Sequence, residues 1–154
     1  MIHIALYEPE IPSNTGNIGR TCLLTGSRLH LIRPLGFRLD DKLIRRSGLD
    51  YWKDVDIRVH DSYAEFLEYL GDQRLWIIST KGREYYHNVS FQDGDHFLFG
   101  RESSGLPEDI MEQWKHNSLR IPMIQSSTRS LNLANTAAIL TYEAKRQLGF
   151  SNML

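Results

Sequence analysis

The sequence has a single cysteine, Cys22, so no disulfide can form within the chain, which suits a reducing compartment such as the cytoplasm. It lacks any apolar run near the roughly eighteen residues that a bilayer-crossing helix needs, and no membrane span is expected. Its opening residues, M-I-H-I-A-L-Y-E-P-E, lack the basic region and small-residue cleavage site of a secretory signal and read instead as a first strand. Repeats, low-complexity tracts and linkers are absent too, so the 154 residues are expected to form one domain, 1–154. A charge excess is also missing: the formal net charge is −1, which by itself announces no nucleic-acid partner. Charge is nevertheless segregated along the chain. Arg33, Arg38, Lys42, Arg45, Arg46 and Lys53 outweigh Asp40, Asp41 and Asp50, whereas acidic residues dominate between Gln92 and Glu112. A basic stripe that meets phosphates and an ordinary solvated helix face both fit this pattern.

What is present is an alternation of short apolar runs and longer segments of helical period, the pattern of an α/β protein with a mainly parallel sheet flanked by helices. Strands are predicted at 2–7, 29–33, 57–60, 75–80, 96–100 and 119–122. Helices are predicted at about 15–25, 40–48, 62–71, 107–114 and 131–148. Ligands gather at the carboxyl ends of such strands. Three loops there are rich in Gly, Asn, Ser and Pro: 8–20, 99–107 and 121–135.

Familiar site signatures do not fit these loops. Gly16 and Gly19 give only G-x-x-G, short of a dinucleotide fingerprint, and Leu106 and Pro107 stand where a P-loop needs lysine and a hydroxyl residue. Ser103 and Ser104 lack a nucleophile-elbow context and an assignable histidine base. The six histidines lie far apart in sequence with no helical i, i+4 pair, so no metal site is expected and they read as core or surface residues. The segment S-T-R-S-L-N-L-A-N-T-A-A-I-L, 127–140, opens a helix that Ser130 is expected to cap. Asn132 and Asn135 share a face of its first turns, which fits a solvated turn, a helix contact or a ligand site.

Taken together, N-T-G-N-I-G-R (14–20), F-G-R-E-S-S-G-L-P (99–107) and I-P-M with S-L-N-L-A-N (121–123 and 130–135) resemble the three signature motifs of the SpoU branch of the SPOUT RNA 2′-O-methyltransferases. The resemblance runs to about Gly149. It is strongest to small single-domain members that methylate the ribose of the tRNA wobble nucleotide, whose opening motif matches Leu6 to Arg20.

The resemblance implies an α/β knot, in which the C-terminal part threads a loop as a trefoil, a homodimer, and S-adenosyl-L-methionine (S-adenosylmethionine) as cofactor. It places Ile78, Gly100, Ile121, Met123, Ser130 and Leu131 around the cofactor. Arg20, Asn14, Glu102 and Asn132 fall on the catalytic positions, and the helix after them matches one packed at the dimer interface. Arg45, Arg46, Arg129 and Tyr142 are the candidates for binding RNA. The implied reaction is in-line attack of a ribose 2′-oxygen on a sulfonium methyl. Because guanidinium stays protonated at ordinary pH, Arg20 is expected to hold a phosphate and stabilise charge on that oxygen rather than act as a base. An ion pair with Glu8 or Glu10 is its structural alternative.

The expected substrate is cytidine or carboxymethylaminomethyluridine at the wobble position of the anticodon loop, in leucine tRNAs. Another tRNA position, a silent RNA-binding dimer and a small-molecule methyltransferase are the competing readings. The lack of an N-terminal RNA-binding extension argues against ribosomal RNA.

Overall fold

The computed structural model describes residues 1–40, 42–44, 49–125 and 128–154, apart from the side chains at 49 and 50. Arg45 and Arg46, two of the expected RNA contacts, lie outside the described residues, as does most of the helix predicted at 40–48.

Seven parallel strands form one sheet. They are β1 (His3–Tyr7), β2 (Arg28–Ile32), β3 (Ile57–His60), β4 (Leu75–Ile78), β5 (Glu84–Tyr85), β6 (His96–Phe99) and β7 (Ser118–Arg120), in the order β3-β2-β1-β6-β4-β7-β5. The principal helices are α1 (Pro12–Thr25), α2 (Tyr63–Leu70), α3 (Glu108–Gln113) and α4 (Leu133–Gln147). β1 and β6 are buried along their whole length, as strands covered on both faces must be. Alternate residues sort into two cores. Ile4, Leu6, Phe97 and Phe99 pack with Ile18 and Cys22 of α1 and with Ala137, Leu140 and Ala144 of α4. Ala5, Tyr7 and Leu98 turn the other way, toward Phe66 and Leu70 of α2 and Ile110 of α3. The Cys22 thiol is pushed up to about 12 by burial in the first core, which leaves it chemically inert at neutral pH.

The six predicted strands are all present. β5 is an addition: two residues, one of them exposed, carry too little alternation to be read from sequence. β7 lies between β4 and β5, so the 79–83 connection crosses over it. The contact is close enough that a Cβ on Gly82 would lie 2.2 Å from the carbonyl carbon of Leu119. Ser79 N donates to Leu119 O at 3.0 Å, and Arg83 N donates to Ser118 Oγ at 2.9 Å, which fixes that crossing.

Helix ends follow their local chemistry. Ser62 caps α2 by accepting from Glu65 N, and Gly26 ends α1 in the left-handed conformation. α4 corrects one expectation. Its cap is Asn132, whose Oδ1 accepts from Ala134 N at 2.8 Å and Asn135 N at 3.3 Å, while Ser130 stays in the preceding loop.

Four histidines are core residues, within what was expected, but they converge in a way that their sequence spacing does not show. Register in the parallel sheet brings His3, His30, His60 and His96 from four different strands onto the α2 face. His3 Nδ1 and His30 Nε2 are 2.9 Å apart, as are His30 Nδ1 and His60 Nε2, and the His3 and His96 rings stack at 4.0 Å. All four are buried, and desolvation is the main cause that lowers each: His3 to about 3, His30 to about 2, His96 to about 4, and His60 in the same direction. His3, His30 and His60 form a neutral hydrogen-bonded ladder, while His96 stacks on His3 and donates from Nδ1 to Gly94 O at 2.8 Å.

Candidate functional site

The carboxyl ends of β4 and β6 and the loop after β7 border a cavity of about 910 Å³. It is reached from the starts of α1 and α4. Ile78, Gly100, Ile121, Met123, Ser130 and Leu131 all line it, together with Asn14, Glu102 and Asn132. Three loops distant in sequence therefore converge, and only Arg20 of the expected cofactor and catalytic residues lies outside the lining.

Gly100 makes the convergence possible. A Cβ there would sit 2.3 Å from the carbonyl carbon of Gly105 and 2.4 Å from Leu106 N, both backbone atoms that cannot swing aside. The loop closes on itself through paired backbone bonds between Arg101 and Gly105, and Gly105 adopts a φ of +70°. The cavity wall thus combines exposed backbone with apolar side chains from Ile78, Ile121, Met123 and Leu131. Such a wall can sandwich a purine ring and read its edge, and the volume falls within the range that encloses a cofactor of nucleoside size. The donor set fits S-adenosylmethionine.

Asn14 and Asn132 meet at this cavity. Asn132 Nδ2 donates to Asn14 Oδ1 at 3.0 Å. Because Asn132 Oδ1 is already committed to capping α4, the amide orientation is set by the helix itself. Asn14 is 7% exposed and lines the cavity. Asn132 therefore both caps the helix and lines the cavity, whereas Asn135 is exposed.

Glu102 lines the cavity with both carboxylate oxygens engaged. Glu10 N donates to Oε2 at 2.9 Å and Ile11 N to Oε1 at 3.2 Å. Ser103 donates its hydroxyl to the Glu10 carboxylate at 2.8 Å. Its backbone amide donates to the same group at 2.9 Å, and these bonds hold Glu10 below the usual carboxylate range.

Arg20 is exposed on α1, its guanidinium 5.7 Å from the Tyr51 ring centroid. The ion pair with Glu8 or Glu10 is not made: Glu8 pairs with Arg101 at 3.3 Å, and Glu10 is held by Ser103. The glycines of the first motif serve packing here. A Cβ on Gly19 would reach within 2.6 Å of the Trp52 ring, and Tyr51 hydroxyl donates to Gly16 O at 3.0 Å. Arg129 lines an adjoining hollow of about 510 Å³, shared with Arg120 and Tyr85, whose ring lies 4.5 Å below the Arg120 guanidinium. Tyr142 is exposed on α4, away from both cavities.

Sequence reasoning did not anticipate Thr80, Lys81, Leu106, Met111 and Thr136 in the lining. The first two follow directly on a strand, at the position where ligands gather, and that placement is a usable signal. Leu106, Met111 and Thr136 look like ordinary loop and helix residues and carry none.

Of the histidines, His3, His30 and His96 have ring nitrogens within 4.8 Å of one another. The His3 and His96 planes are only 11° apart in a face-to-face stack, so their in-plane lone pairs run side by side instead of converging on one point. His3 and His30 hydrogen-bond to each other instead, whereas His96 Nε2 has no partner among the described residues.

The sequence profile of the SpoU rRNA Methylase family matches residues 1–142. A tRNA (cytidine(34)-2'-O)-methyltransferase of Saccharophagus degradans is 52% identical over 98% of both chains. A solved structure concerned with the 2-OH methylation of C/U34 on tRNA is 48% identical, with a TM-score of 0.92 over 97% of both chains. The fold also matches the SpoU methyltransferase AviRb of Streptomyces viridochromogenes, solved in complex with AdoMet. There the TM-score is 0.83 at 23% identity, over 95% of this chain and 60% of that one.

Proposed function

This chain belongs to the SpoU rRNA Methylase family, and we propose that it transfers a methyl group from S-adenosylmethionine to the ribose 2′-oxygen of the wobble nucleotide, position 34, of tRNA. The observation that carries the reading is the Asn14–Asn132 pair at the mouth of a cavity walled by Ile78, Gly100, Ile121, Met123 and Leu131. The family name refers to rRNA, but the Saccharophagus degradans relative, at half identity over nearly its full length, is named for cytidine 34 of tRNA, and this favours tRNA. Cytidine or a modified uridine of leucine tRNAs is the proposed target.

When bound, S-adenosylmethionine supplies a methyl group already made electrophilic by its sulfonium. The protein's work is then to align and to exclude water. Gly100 and the apolar wall hold the nucleoside part. The Asn14–Asn132 amides, fixed by the α4 cap, orient the ribose hydroxyl, and Arg20 binds an adjoining phosphate and stabilises charge developing on the 2′-oxygen. Since Arg20 lies outside its own chain's cavity, we infer a homodimer that assembles the complete site. Exposed Ile11, Leu24 and Leu131 on and beside α1 and α4 give such a dimer apolar surface to cover. Arg129 and Tyr142 are proposed to touch the anticodon loop, as are Arg45 and Arg46.

We also read the chain as one domain, because a single sheet carries both cores, and place the trefoil crossing where the 79–83 connection passes over β7. No described helix is long and apolar enough to cross a membrane. Work on tRNA suits the cytoplasm.

The test is transfer of tritiated methyl from S-adenosylmethionine to bulk tRNA that lacks the modification, with ribosomal RNA as comparison. Label in tRNA alone, abolished in Asn14→Ala, is expected. Label in ribosomal RNA alone refutes the substrate.

A further inference from the structure

The two acidic residues that flank Pro9 meet, through direct contacts, the three residues after Gly100, which line the cavity. Ile11, the residue that opens α1, is extended and has no capping side chain of its own. The helix entry is held from outside instead. Glu102 takes the amides of Glu10 and Ile11, and the Glu10 carboxylate takes the amide and hydroxyl of Ser103 in return. On the far side, Gly36 N donates to Pro9 O at 2.9 Å, and Gly36 packs so closely on Glu10 that a Cβ would lie 2.9 Å from its Cα. Glu8 adopts a φ of +46°, a left-handed conformation costly for glutamate, and is paired there with Arg101.

We propose that Glu10 and Ser103 are positioning residues for methyl transfer, forming with Glu102 a reciprocal clamp that fixes the α1 entry loop, and hence Asn14, against the loop that walls the cofactor cavity. The proposal rests on the activity assigned above. With each oxygen engaged by a backbone amide, Glu102 holds a loop in register. Asn14 sits in the first turn of α1, so a shift of the entry loop displaces its amide from Asn132 while the apolar wall stays intact. Misplacing a catalytic group by about 1 Å is enough to slow a reaction by roughly a hundredfold.

The experiment compares wild type with Ser103→Ala, Glu10→Ala and Ser103→Thr. It measures kcat with tRNA, S-adenosylmethionine affinity by calorimetry, and amide hydrogen exchange at residues 10 and 11. Ser103→Ala and Glu10→Ala are expected to lower kcat roughly ten- to hundredfold, with cofactor affinity unchanged and faster exchange at both amides. Ser103→Thr, which keeps the hydroxyl, restores kcat and protection. An unchanged kcat, a loss confined to cofactor affinity, or a threonine variant as slow as alanine overturns the proposal. If wild type itself methylates no tRNA, the assigned activity fails and exchange alone decides the clamp, with unchanged exchange in the alanine variants refuting it.

Discussion

Lowering the pH from 7 to 5 should destabilise this protein well before its carboxylates begin to protonate. His3, His30 and His96 are buried and held neutral, at about 3, 2 and 4, against an ordinary value of 6.5 in the unfolded chain. The sign follows from proton counts: below 6.5 the unfolded chain binds protons that the folded chain refuses, so stability falls as pH falls. At pH 5 each of the three contributes a loss of about 2 kcal/mol, and together they remove about 6 kcal/mol out of the roughly 5–15 kcal/mol that holds a domain folded. The His60 shift acts in the same direction. Asp56 near His3 and Glu65 near His60 favour protonation, but by less than burial opposes it. Arg28 and Arg58 oppose protonation, while Asp56 is paired with Arg28 at 2.9 Å and Glu65 accepts from Asp61 N. The lowered carboxylates, Glu10 among them, lose their contribution only at lower pH, below the ordinary carboxylate value, so the window from 6.5 to 5 reports on histidine. Urea titrations at pH 7, 6 and 5, at constant protein concentration and ionic strength, measure it. A midpoint that stays level across this range would refute the neutral ladder.

Substitutions at three single residues have four further expected outcomes. Gly100→Ala forces a Cβ into the Gly105 backbone and should weaken cofactor binding by about 1–3 kcal/mol, read by calorimetry. Asn132→Ala removes the α4 cap and the Asn14 donor, costing about 1 kcal/mol, or roughly 3 °C in Tm, along with activity. Asn132→Asp keeps the cap and loses the donor, so stability holds while transfer fails. Gly82→Ala presses a Cβ onto the Leu119 carbonyl and should destabilise the β4–β7–β5 edge by about 3 kcal/mol, seen as a lower urea midpoint.

The elements themselves were legible because buried parallel strands are short continuous apolar runs: H-F-L-F at 96–99 and L-W-I-I at 75–78 announce themselves. Their order was not. Nothing local tells β7 to insert between β4 and β5, and the glycine that permits it, Gly82, looks like any loop glycine. The convergence of the four core histidines was hidden for the same reason. Residues 3, 30, 60 and 96 share no sequence period, and only the stagger of four strands puts them in one row. Of the site, the motif residues were identifiable by resemblance, but what each touches was not. Ser130 looked like the cap because a serine opens the run, yet Asn132 stands at the actual helix start and does both jobs. The bonding of Glu102 to the α1 entry depends on a contact ninety-two residues away in sequence, between Glu10 and Glu102.

The most direct test of the central claim is to map the methyl group on tRNA labelled by the purified protein, using nuclease digestion and mass spectrometry. The account predicts a single 2′-O-methyl at nucleotide 34, lost in Arg20→Ala and in Asn14→Ala. A methyl group on a base, or on a ribose elsewhere in the tRNA, would contradict it.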